Sequence, residues 1–221
     1  MPPLSSGAHT SSNAVVMTTP AEEDRIRGNV YALLGNLLAG PPDANLLQLL
    51  QDISPDPDDD SLLASSWRIL AAAAAHANLD VLREEYDALF IGIARGEVVP
   101  YASWYLTGFL MEQPLADLRG DLQALGIQRR PDVHEPEDHV AALCDTMALL
   151  INSDAPTPLE DQYRFFGRHL EPWVARFFGD LQHAKSSEFY RAVAQLGEQF
   201  IGIEIQAFQA AVPAAGVTKH S

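Results

Sequence analysis

The chain has 221 residues, of which 47% are hydrophobic, enough for one substantial core and within the usual size of a single domain. Its 30 acidic residues against 14 Lys and Arg give a formal charge of -16, a field that repels phosphate backbones and anionic surfaces and so argues against a nucleic acid partner. The single cysteine, Cys144, excludes an internal disulfide, and no segment is long and apolar enough for stable membrane insertion.

Residues 1–20 are rich in Ser, Thr, Pro and Ala, lack Lys and Arg, and predict a disordered N-terminal tail rather than a signal peptide. A helical domain is expected over 21–211, followed by a second tail over 212–221. The first helix begins near Glu22, carries the stripe Ile26, Val30, Leu33, Leu34 and Leu37, and stops at Gly40-Pro41-Pro42. A short helix around Leu46–Leu50 precedes the acidic loop 52–60, which contains no cation. Asp60 or Ser61 then caps a helix with Leu62, Leu63, Trp67 and Leu70, leading into the alanine run 71–75.

Leu79, Leu82, Tyr86, Leu89 and Phe90 share the next helical face, which ends at Gly92 before the loop containing Gly96 and Pro100. Trp104, Tyr105 and Phe109 predict a short helix. Leu115, Leu118, Leu122 and Leu125 form the stripe of another that Gly126 terminates. After the polar connector 128–134, Val140, Leu143, Met147, Leu150 and Ile151 mark a further helix. Phe166, Leu170, Trp173 and Phe177 imply a packed face despite Pro172. In the last, long helix, Phe189, Val193, Leu196, Phe200, Ile203 and Ala207 form a stripe that fits either the core or a second subunit, so monomer and homodimer both remain open. The fold class read from this pattern is all-α, a single-domain bundle of roughly ten helices.

One cluster, His134, Glu135, Glu137, Asp138 and His139, has the residue types of a metal site. The residue four after His134 is Asp138, however, so the two imidazoles do not share a helical face. The alternative of a metal-dependent all-helical hydrolase using His134, Glu135, Asp138 and His139 rests on this cluster alone. Capping accounts for its acids: with Glu135 at the cap, Pro136 takes the first helical position and Glu137 and Asp138 face the positive end of the helix dipole. On that reading His139 borders the apolar stripe and Asp138 points away. No Gly-rich phosphate loop and no nucleophile elbow occurs, so neither catalytic residues nor a cofactor is expected. An acidic structural adaptor without a groove is the remaining bland reading.

Three stretches taken together resemble a known family: Glu85-Tyr86-Asp87-Ala88-Leu89-Phe90-Ile91-Gly92, then Pro100-Tyr101-Ala102-Ser103-Trp104-Tyr105, then Glu135-Pro136-Glu137-Asp138-His139. Their order and spacing are similar to those of the TorD/DmsD/NarJ family over roughly residues 22–210. The resemblance implies an all-helical cytoplasmic chaperone, not an enzyme. Its implied partner is the molybdopterin-containing catalytic subunit of an oxidoreductase or that subunit's twin-arginine leader, bound before export. The family's groove residues match Leu89, Phe90, Pro100, Tyr101, Ser103, Pro136, Asp138 and His139 here, and Trp104 and Glu135 complete the expected client-binding set. A leader of this kind presents two guanidiniums beside an apolar segment, so its receptor needs carboxylates next to an apolar floor. The reading therefore requires the helix start at Asp138-His139 and the rings around Tyr101 to share one cleft.

Overall fold

The structure is a computed structural model that describes residues 20–92, 96–129, 134–153 and 157–211. Both expected tails lie outside the described residues, except that Pro20 already opens the first helix. Among the described residues the chain forms ten α-helices, one π-helical turn and a single isolated β-bridge, as the helical periodicity requires. The first four helices are α1 (Pro20–Ala39), α2 (Ala44–Gln51), α3 (Leu62–His76) and α4 (Leu79–Tyr86), which runs into the π-turn Asp87–Ile91. After these come α5 (Ala102–Thr107), α6 (Gln113–Ala124), α7 (Val140–Asn152), α8 (Leu159–His169), α9 (Val174–His183) and α10 (Phe189–Ala211).

Short polar side chains set several of the starts by accepting otherwise unpaired first-turn N–H groups. Asp43 accepts from Leu46, Ser61 from Ala64, and Asn78 from both Asp80 and Val81. Of the two candidate caps before α3, Ser61 is therefore the one used. Gly126, at φ 72°, lets the chain turn away after α6, a conformation that a side chain would oppose. The acidic loop is stitched by its own turns and by Arg68 of α3, which donates to the carbonyls of Asp56 and Asp59 at 3.3 and 2.8 Å. The cation absent from the loop sequence thus arrives from the next helix.

The centre of the bundle is α1 laid antiparallel along α7, with Gly28 beside the Asn152 side chain and Gly35 beside Asp145 and the Ala141 carbonyl. Added methyl groups at either glycine would collide there, so their absence sets how closely the two helices approach. Tyr31, Leu34, Leu37 and Leu38 of α1 and Val140, Leu143, Met147, Leu150 and Ile151 of α7 are all buried. Cys144 lies within the same core, where burial pushes its thiol well up and leaves it inert. Helix α10 packs on α3 and α9 and reaches α1, where Phe200 meets the Tyr31 ring edge-on at 4.8 Å.

Two remote connections tie this layer together. The Glu85 carboxylate accepts from the backbone N–H groups of Glu188, Phe189 and Tyr190 at 2.8, 3.2 and 2.8 Å and so caps α10 from α4. Arg27 of α1 forms a bidentate pair with Glu204 of α10 at 2.7 and 2.9 Å, and Glu204 is fully enclosed.

Several details of the sequence pattern are corrected. Ile26 is exposed, and the inner face of α1 turns through Tyr31 and Leu38 instead. In α10 the three-four stripe drifts after Phe200, leaving Ile203 and Ala207 outside while Glu204 goes in. A helix of 3.6 residues per turn does not keep a three-four alternation on one side for long. Phe166, Leu170, Trp173 and Phe177 are all buried, but they divide between α8 and α9, with Pro172 in the turn between them. Phe109 lies beyond the end of α5 and is exposed.

Candidate functional site

The site begins where α4 loosens into the π-turn. Gly92 donates to the Asp87 carbonyl at 2.7 Å, and the returning strand of the loop closes onto the turn through Glu97 N to Ala88 O at 3.2 Å and Val98 N to Leu89 O at 2.9 Å. This return delivers Pro100 and Tyr101 to the start of α5. Leu89 is wholly buried beneath it, while Phe90 is half-buried against Tyr86 and Tyr190 at ring separations of 4.9 and 5.5 Å.

Tyr101 and His139 form an antiparallel bridge. Ala102 N donates to Asp138 O at 3.0 Å, and Val140 N donates to Pro100 O at 2.8 Å. The starts of α5 and α7 are thereby held side by side, although 38 positions separate the bridged residues. The Asp138 carboxylate crosses the same seam: its Oδ2 accepts from Ser103 N at 2.9 Å and from Ser103 Oγ at 2.5 Å, so it caps α5 from outside that helix. His139 is the N-cap of α7, its Nδ1 accepting from Ala141 N at 3.1 Å.

That bond fixes the proton of the neutral ring on Nε2. Burial lowers the His139 pKa to about 4, against the opposing pull of Glu135 and Asp138, so the imidazole is uncharged at neutral pH. Its ring stands edge-on to Tyr101 at 5.1 Å. The Tyr101 hydroxyl donates to Glu135 Oε2 at 3.0 Å and brings an exposed carboxylate to the mouth of the seam. Burial and this carboxylate both raise the Tyr101 phenol well above its ordinary value, so it stays a donor. Nearby, Arg119 binds Glu137 at 2.8 Å. Burial alone would raise the Glu137 carboxyl, but this bond, a backbone hydrogen bond and the charges of Arg119 and Arg129 together outweigh it and hold the group low.

Comparison with known proteins decides the family. The sequence model for the nitrate reductase delta subunit family matches residues 56–179, more than half of the chain. The chain is 30% identical to the chaperone protein TorD of Shewanella loihica, covering 87% of this chain and 96% of that one. It is 26% identical to the TorD of Aliivibrio fischeri, covering 81% and 93%. This chain belongs to the TorD/DmsD/NarJ family. A candidate redox enzyme maturation protein from Archaeoglobus fulgidus has the same fold, with a TM-score of 0.51, 18% identity, and coverage of 86% of this chain and 99% of that structure. The TorD relatives carry the name of chaperones rather than catalysts.

In this TorD-family chain the residues expected to bind a client divide into two sets by exposure. Tyr101, Trp104, Glu135, Pro136 and Phe90 are exposed or half-buried and can meet a ligand. Leu89, Pro100, Ser103, Asp138 and His139 are buried and hold the exposed set in place. The capping assignment is corrected: Glu135 is not the cap of α7, which begins at Val140 with His139 in that role. Asp138 accordingly points inward to Ser103 instead of away, because it precedes the helix and pairs with a second chain segment.

The same displacement removes the geometric basis for a metal centre. His134 and Glu135 are exposed, Asp138 is turned to Ser103 and His139 Nδ1 is engaged, and among the described residues no three His, Cys, Asp or Glu are grouped to hold an ion. Glu85 of the first motif acts at a distance from this seam, capping α10. Sequence reasoning did not find the run Leu106–Met111, whose signal was an apolar stretch interrupted by Gly108 at the end of a short helix.

Proposed function

We propose that this TorD-family chain is a cytoplasmic chaperone that binds a basic and apolar segment, such as a twin-arginine leader, of a molybdopterin-containing oxidoreductase subunit while that subunit is assembled. The observation that carries the reading is the bridge between Tyr101 and His139, beside which the half-buried Tyr101 ring and its hydroxyl meet the exposed Glu135 carboxylate. Glu135 offers the carboxylate that a guanidinium requires, and Tyr101, Trp104 and Phe90 offer area for the apolar part of the segment. The charge of -16 draws a basic peptide toward this face. No described helix is long and apolar enough to cross a membrane, which agrees with work on a client before its export.

Titration with a synthetic twin-arginine leader peptide tests this. Glu135→Gln together with Tyr101→Ala is expected to weaken binding, the solvent-exposed charge pair accounting for about 0.2–1 kcal/mol and the lost ring for more. Unaltered affinity in that double variant would reject the site.

A further inference from the structure

Between Leu106 and Met111 the chain leaves α5 and places four large apolar side chains in solvent. Leu106 is 39% exposed, Phe109 68%, Leu110 48% and Met111 73%. The segment is built rather than loose. Gly108 N donates to Trp104 O at 2.8 Å with φ 83°, Thr107 Oγ1 donates to Ser103 O at 2.8 Å, and Phe109 N donates back to Thr107 Oγ1 at 3.2 Å. Met111 sits at φ 60°, a left-handed conformation uncommon for a residue with a side chain. A strained backbone that holds an apolar side chain outward needs a reason outside the fold.

Behind this lip lies a cavity of about 120 Å³ lined by Leu106, Pro114, Asp117, Asp138, Arg168 and His169 among others. Arg168 is already engaged by Asp121 at 2.8 Å and Asp117 at 3.7 Å, and His169 by Asp121 at 2.7 Å. Asp138 is 1% exposed, and although its Oδ2 is held by Ser103, its Oδ1 has no donor among the described residues. A buried carboxylate oxygen without a donor is costly, and the adjoining space admits a small donor group.

We infer that the lip Leu106–Met111 docks the apolar stretch of the client segment. The inference rests on the function proposed above and extends it to a surface outside the family motifs. Charge selects the occupant. A second copy of the chain would bring another -16 against this face, whereas a basic and apolar peptide complements both the acidic field and the exposed side chains.

The test uses the full chain and two synthetic peptides, one with consecutive arginines followed by a run of leucine and alanine, the other with the same arginines followed by serine and glycine. Fluorescence anisotropy reads the affinities. Phe109→Ser with Met111→Ser, both at exposed positions, is expected to weaken binding of the apolar peptide about tenfold and to leave the polar peptide unchanged. Equal affinity of wild type and variant for the apolar peptide overturns the lip while leaving the proposed chaperone function standing. Failure of wild type to bind either peptide overturns both. Sedimentation supplies the remaining arm: if the variant dissociates a wild-type dimer with no change in peptide affinity, the lip is a self-association surface and the inference fails.

Discussion

Asp138 and His139 show how two adjacent buried residues each hold a different helix start. Removing the Asp138 acceptor strands the buried Ser103 N–H, so Asp138→Ala is expected to lose roughly 1–3 kcal/mol in urea unfolding. Asp138→Asn, which keeps an acceptor for Ser103, is expected to lose less, and equal losses would show that the seam bond contributes nothing. For His139 the sign follows from its lowered pKa. The unfolded chain takes up a proton near 6.5 and the folded chain only near 4, so the stabilisation is complete above pH 6.5 and is lost as pH falls toward 4. The loss amounts to roughly 3 kcal/mol across that window. Protonation would also cancel the acceptor that caps α7 and put positive charge at the positive end of its dipole. His139→Asn, which caps without titrating, should flatten the stability profile between pH 6.5 and 4, and an unchanged slope would assign it to other groups.

At the level of elements, two helices begin on carboxylates borrowed from far along the chain. Glu85 caps α10 from 103 to 105 positions away, and Asp138 caps α5 from 35 away. Glu85→Ala leaves three N–H groups at the start of α10, those of Glu188, Phe189 and Tyr190, unpaired and is expected to cost about 2 kcal/mol or more. Hydrogen exchange at Phe189 and Tyr190 should accelerate selectively, and uniform acceleration through the helix would indicate global rather than local opening. This dependence explains why Glu85 sits in the same motif as Leu89 and Phe90 without belonging to the proposed client-binding face. The motif spans α4 and the π-turn, so one end fixes the last helix and the other supports the loop that delivers Tyr101.

Across the whole molecule, α1 and α10 are joined by the Arg27–Glu204 pair, with the guanidinium also 5.3 Å from the Phe208 ring. Breaking the pair from one side leaves Glu204 charged in the core, so Arg27→Met is expected to cost about 3–5 kcal/mol. The double change Arg27→Met with Glu204→Met removes that stranded charge and should recover most of the loss. A double variant no more stable than Arg27→Met would show that packing rather than charge governs the contact. The proposed client-binding face lies on the opposite kind of connection, a backbone bridge that needs no core charge, and the two can be perturbed separately.

The all-helical class, most element positions and the family were legible because they depend on local quantities: apolar periodicity, capping residues and three short motifs. The start of α7 was misplaced because Glu135-Pro136 satisfies every local rule for a helix opening, while the true cap, His139, is set by the bridge to Tyr101. The burial of Glu204 was hidden for the same reason, since its partner Arg27 lies 177 positions away. Sequence alone also brought together the residues of the seam without showing which face outward. Tertiary structure decided that division, because the exposure of a side chain depends on which distant segment packs over it, and backbone hydrogen bonds between remote segments leave no trace in local spacing.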